Sequence, residues 1–362
     1  MSMILDGSNG VTFNDASLQG AAASPYVLKN RIINGAMMID QRNAGASVTP
    51  TVDNQYTLDR WRCSLTQSSK FSVQQNAGSV TPPVGFTNYL GVTSLSAYSV
   101  VASDVFGIVQ LIEGFNTADL AFGTANARTV TLSFWVRSSL TGTFGGVLNN
   151  GIFNRSYPFT YTISAANTWE QKTVTIAGDT TGTWNTTTSA SMGAFFSLGA
   201  GSTFSGTAGA WVAGNILSAT GATSVVGTNG ATFYITGVQL EVGSTATPFE
   251  RRMYTNEFQL CQRYFQTISN GPTGSGSTTQ FTFGTLFPVV MRTAPSGIVT
   301  AAMRISDITT SSFIQSSGSI ISNLVTAEGG SFHLPNFTGM TANRPALVAR
   351  DGTGVIQLSA EL

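Results

Sequence analysis

Residues 128–139 read RTVTLSFWVRSS, and their two-residue alternation restricts the fold more than any other feature of the chain. Successive side chains of an extended strand point to opposite faces. Val130, Leu132, Phe134 and Val136 therefore form one apolar row, and Thr131, Ser133, Trp135 and Arg137 the other. An apolar row of this length has to be buried against a second layer. Comparable runs recur as WRCSL, KFSVQQ, FTYTIS, WEQKTVTIAG and TFYITGVQLEV, separated by clusters of Gly, Asn and Thr. In the last run Phe233 and Ile235 share a face, and Gly237 marks a bulge that re-phases Val238, Leu240 and Val242. Short strands at this spacing predict an all-β sandwich. Residues 197–231 are Gly-rich and loosely patterned, and read as loops or short strands at a rim.

Composition narrows the partners. Charged residues make up 9% of the 362, against roughly 25% in an ordinary soluble domain. Disorder does not follow, because 42% of residues are hydrophobic and 10% aromatic. A net charge of zero argues against nucleic acid and anionic membranes as partners, since both select a basic surface. No apolar run is long enough to span a bilayer, and the start MSMILDGSNG lacks the basic region of a signal peptide. Cys63 and Cys261 fit no metal or redox spacing and read as two buried reduced thiols.

STATPFERR breaks the last sandwich strand, and Pro248 forbids its continuation. Beyond it Tyr254, Phe258, Cys261 and Phe265 recur at i, i+4, i+7 and i+11, an amphipathic helix of about four turns. Either one such helix caps the sandwich, or three meet on a threefold axis with this stripe as the seam. SNGPTGSGSTTQ then reads as a turn or linker, after which strand patterns return to residue 362. The expected organisation is a lead-in at 1–29, a β-sandwich at 30–250, a connecting helix at 251–268 and a smaller β-domain at 269–362.

Several stretches resemble tail-fibre and related virion fibre proteins of tailed bacteriophages: NRIINGAMMIDQRNAGA, LDRW, FYITGVQLEVGSTATPFERR…LCQRYF and FPVVMRTAPS. The resemblance covers roughly residues 29–296. Within it, Asn34-Gly35-Ala36-Met37-Met38, Trp61, TWEQKTVTI and FYITGVQLE are similar to pieces of jelly-roll carbohydrate-binding modules. This implies a jelly-roll sandwich, a homotrimer, attachment to other virion proteins through residues 1–29, and location in the virion after assembly in the host cytoplasm. Two departures bear on metal. Met38 stands where the modules often carry a glutamate, and Thr236-Gly237 where they carry acidic residues. Those carboxylates help hold a structural calcium in the modules, so no metal is expected here. No cofactor motif is present.

Catalysis has little support. His333 is the single histidine, which weakens metal triads and Ser/His arrangements, and it reads as a turn or core residue. Glycan cleavage needs two carboxylates across a cleft. Asp104, Glu113 and Asp119 form the only moderately close acidic group of the sandwich, and such spacings commonly belong to solvated or strand-edge groups. No catalytic residue is assigned.

Sugar binding has more. Aromatic rings pack on sugar C–H faces, while amides and guanidinium groups bind hydroxyls. Trp135 and Arg137 lie opposite the apolar row of their strand, and Trp184 and Trp211 sit in Gly/Thr-rich loops. These four are the carbohydrate-binding candidates, with subunit packing or loop anchoring as the alternative for each tryptophan. Trp61 and Trp169 match positions that pack in the modules. The leading expectation is a non-enzymatic, trimeric tail fibre that binds a bacterial surface polysaccharide. A structural head-fibre, decoration or baseplate protein without glycan binding is the second reading, and a glycan depolymerase the third.

Overall fold

A computed structural model describes residues 4–6, 10–12, 18–19, 29–307, 312–315, 320–337, 341–350 and 354–362. Apart from Lys29 and a small sheet formed by 4–6, 10–12 and 18–19, the expected attachment segment lies outside the described residues.

The sandwich is a jelly-roll built from two antiparallel sheets. One has six strands in the order Val212–Ala213, Arg155–Ile163, Gly142–Asn150, Ala190–Ala200, Val105–Glu113, Arg62–Leu65. The other has five, in the order Glu170–Ile176, Val130–Ser138, Thr232–Val242, Leu90–Ser94, Phe71–Gln75. Between the sheets lies one core, in which Val130, Leu132, Phe134 and Val136 are buried with Trp61, Phe144, Phe196 and Phe233. The bulge at Gly237 is present: that residue has φ +61, and the register with Val130–Ser138 shifts between Thr236 and Gln239.

Three central strands of the six-stranded sheet lack alternation because both of their faces are covered. All nine residues of Val105–Glu113 are buried. Their outer face packs Val105, Val109 and Leu111 with Val147, Phe195 and Leu217. Gly107 makes this possible: a Cβ there would sit 2.2 Å from Cζ of Phe195, so only glycine lets the ring lie flat on the strand.

The helix is shorter than expected, spanning Tyr254–Gln262. Phe265–Ile268 leaves it as a strand and pairs with Ile356–Ser359 near the end of the chain. The side chain of Gln266 explains the switch, since it donates to the carbonyls of Gln262 and Val289 and anchors the chain where the helix stops. This also corrects the seam. Cys261 and Phe265 are 0% and 2% exposed within a single chain, and Cys261 packs with Ile33, Ile39 and Tyr264. Only Tyr254, which is exposed, and Phe258, which is half-buried, remain on the outside; their rings stack at 6.0 Å.

The C-terminal domain has its own core around Phe281, Phe283, Met303, Ile305 and Phe332. It is made of a seven-stranded and a three-stranded sheet. His333 lies within the Gly329–Leu334 strand rather than in a turn, and its Nδ1 is 2.6 Å from Oγ1 of Thr282.

Candidate functional site

The outer face of the six-stranded sheet carries a cleft of about 210 Å³. Alternation in Arg62–Leu65 sends Cys63 and Leu65 into the core and leaves Arg62 and Ser64 on the outer face. Val109 and Phe195 form the floor, while Phe153, Asn215 and Leu217 come from the two loops that flank it. Phe153 has φ +57, a left-handed conformation that costs a bulky residue of order 1–3 kcal/mol. The polar rim is partly committed. Asp53 accepts from the Leu65 N–H at 3.0 Å and from Asn54 Nδ2 at 3.0 Å. Arg62 donates from Nη1 to the Leu362 carbonyl at 3.0 Å, and its Nε is buried without a partner. Ser64 and Asn215 make no side-chain hydrogen bond among the described residues. An apolar floor rimmed by a guanidinium, an amide and a hydroxyl suits a sugar.

The four sequence candidates lie elsewhere, in two separate groups. Trp135 and Arg137 are on the outer face of the five-stranded sheet and are half-buried. Loop residue Phe86 reaches the same spot as Trp135, since a Cβ on Gly237 would approach both rings. Arg137 donates from Nε to the Asn167 carbonyl at 2.9 Å and sits 5.5 Å from the Tyr234 ring. Trp184 and Trp211 meet at an end of the sandwich, 5.4 Å apart and edge-on, with Phe122 and Tyr157 beside them. Both indole N–H groups are used internally, on the carbonyls of Thr181 and Ala177. Trp61 is fully buried, and Trp169 packs edge-on against Tyr89 at 5.5 Å. Sequence reasoning missed Arg62, Ser64, Phe153 and Asn215. The alternation of WRCSL was the available signal for the first two; nothing in the Gly-rich loops marked the others.

The acidic trio is dispersed into structural contacts. Asp104 accepts from Thr66, Tyr98 and the Val101 N–H. Glu113 pairs with Arg263 at 2.5 Å and accepts from the Tyr264 hydroxyl. Asp119 pairs with Arg31 at 2.7 Å. Burial pushes both cysteine thiols up, which suppresses thiolate chemistry.

The residues at the calcium-like position do not fit a calcium cage. Met38 packs beside Ile33, Ile39 and Tyr264. The hydroxyl of Thr236 donates to the Asn88 carbonyl. Nearby, the positive charge comes from Arg252, which pairs with Glu250 at 3.1 Å and Glu257 at 3.3 Å and donates to the Asn30 carbonyl. Among the described residues, no group of three or more His, Cys, Asp or Glu is placed to hold a metal ion.

No family model and no curated protein matches the chain. Solved structures similar to it include the enzymatically active domain of tailspike protein 4 of bacteriophage CBA120. That match has 14% identity and a TM-score of 0.32, and covers 62% of this chain and 22% of that one. A putative sugar binding protein from Bacteroides thetaiotaomicron matches at 11% identity and a TM-score of 0.36, over 59% of this chain and 100% of that one. A family 11 carbohydrate-binding module from Clostridium thermocellum, in complex with a mixed-linked tetrasaccharide, matches at 11% identity and a TM-score of 0.29, over 55% and 97%. Likeness at this level carries no functional weight, and the jelly-roll assignment rests on the two sheets themselves.

Proposed function

We propose that this chain is a non-enzymatic fibre protein of a tailed-bacteriophage virion, a homotrimer attached to the particle through residues 1–29, that binds a host surface glycan. The observation that carries the glycan reading is the cleft on the six-stranded sheet, where Arg62, Ser64 and Asn215 rim an apolar floor of Val109 and Phe195. The fibre reading draws on the sequence stretches between residues 29 and 296. A subunit contact is supported by a groove beside the helix, lined by Met253, Leu260, Pro288 and Val289, with Met253 78% exposed. A non-enzymatic role is supported by the use of Asp104, Glu113 and Asp119 in internal contacts.

Calorimetric titration of the purified chain with host envelope polysaccharide tests the binding. Binding by the native protein that weakens at least tenfold in Ser64→Ala/Asn215→Ala supports the cleft. Absence of binding by the native protein would favour the structural particle protein, and release of reducing ends would favour the depolymerase. Light scattering on a sizing column tests the trimer, and a mass equal to one chain would sink it for the isolated protein.

A further inference from the structure

We infer that the end of the sandwich around Trp184 is a second sugar site, separate from the cleft and selective for a single neutral sugar ring. The inference rests on the glycan-binding reading for its ligand class, but on different residues. A cavity of about 260 Å³ opens where Val105–Glu113 finishes and Ala190–Ala200 begins. Phe122 and Trp184 form one wall, with ring centroids 4.8 Å apart and an interplanar angle of 84°, and Met192 forms part of the lining. Both rings are fixed: Phe122 is 8% exposed, and the Trp184 indole N–H donates to the Thr181 carbonyl at 3.1 Å. The apolar wall is therefore formed before any ligand arrives.

The polar groups are open. Ser191 is 2% exposed and lines the cavity, yet its hydroxyl makes no hydrogen bond among the described residues. The Thr186 hydroxyl and Asn185 Nδ2 are unpaired in the same sense, whereas Asn185 Oδ1 accepts from the Thr187 N–H at 2.7 Å and is held in place. These groups open onto the cavity, where the hydroxyls of a sugar would bond them. The cavity lies just below the roughly 300–1,000 Å³ of drug-sized ligand sites, which suits one ring rather than a chain. No Asp, Glu, Lys or Arg lines it. Taking a uronate or another anionic sugar there would leave its charge without a counter-ion, so the fit is to a neutral sugar. By contrast, the cleft is rimmed by Arg62 and Asp53. No residue lines both sites, so the two could engage one polysaccharide at a backbone segment and at a branch or terminal sugar. Linked weak sites raise avidity without new contacts.

The test is a titration of the full-length protein with free glucose, galactose, mannose and N-acetylglucosamine, following the tryptophan indole N–H signals by heteronuclear NMR. At least one neutral sugar is expected to shift the Trp184 signal in a saturable way. The shift should persist in the cleft variant Ser64→Ala/Asn215→Ala and weaken at least tenfold in Ser191→Val, which fills the cavity and removes the hydroxyl. Thr186→Ala, at an exposed position, gives a second variant if Ser191→Val fails to fold, and should weaken the shift several-fold. The proposal is overturned if no neutral sugar moves the Trp184 signal while polysaccharide binding at the cleft persists. It is equally overturned if the shift disappears in the cleft variant. Loss of cleft binding with the Trp184 shift retained would instead remove the first site and leave the second.

Discussion

Substituting Glu361 by Gln tests how the end of the chain is seated on the jelly-roll. The Glu361 carboxylate lies between two guanidinium groups, Arg42 at 2.7 Å and Arg60, and the three side chains are 5%, 10% and 1% exposed. Arg60 is further fixed by donating to the Leu111 carbonyl at 2.6 Å and by lying 3.6 Å over the Tyr264 ring. Glutamine keeps the shape of the side chain and removes its charge. Fully buried Arg60 then loses its carboxylate partner while Arg42 keeps only the more distant Asp59, and breaking a buried pair in this way costs about 3–5 kcal/mol. That is a large part of the 5–15 kcal/mol that holds a typical domain together. Urea unfolding of the full chain, followed by tryptophan fluorescence, should show a midpoint lowered to match. Replacing all three groups by apolar residues of similar volume should recover most of the loss, because the ion triad gives little net stability once its desolvation is counted. A cost below about 1 kcal/mol for Glu361→Gln, the value of an exposed ion pair, would refute the reasoning. It would mean that the triad is solvated and that the C-terminal strand is not seated against Arg60.

Three further outcomes are expected. Burial raises the Asp59 carboxyl to about 6, from an ordinary 3.8. The folded state then binds more protons than the unfolded one between those values, so stability falls as pH rises from about 4 to 6 and levels off above. Two units correspond to roughly 3 kcal/mol, and Asp59→Asn should flatten that part of a stability-versus-pH curve; an unchanged curve would exclude Asp59 as its source. Gly107→Ala should destabilise the sandwich by about 1–3 kcal/mol through overpacking against Phe195, with partial rescue by Phe195→Leu; an unchanged melting temperature would contradict the close approach. Millimolar calcium or a chelator should leave the melting temperature within a degree, because Glu250 and Glu257 are both already paired with Arg252; a rise of several degrees with calcium would count against this.

The strands that could be read from the sequence are those with one face on the core and the other nearer solvent. Val130–Ser138 and Glu170–Ile176 alternate because their outer faces meet loops or water rather than another layer. Val105–Glu113 and Ala190–Ala200 do not alternate, and no local rule separates such runs from other small apolar stretches. The candidate site followed the same divide. Exposed-looking tryptophans drew attention in the sequence; Trp184 and Trp211 use their N–H groups on local carbonyls, which leaves their ring faces rather than their N–H groups for any ligand. The cleft is assembled from an edge strand, a central strand and two loops that are distant in sequence.

By itself the sequence determined the class of fold, the bulge at Gly237 and the burial of both cysteines. Each of these follows from the local period, from backbone geometry or from side-chain hydrophobicity. Only the tertiary structure decided which outer faces are covered, where the helix stops and whether its stripe faces inward. Those outcomes depend on contacts between residues distant in sequence, such as Gln266 with Val289, Val109 with Phe195 and Cys261 with Ile33, whose energies no local pattern encodes.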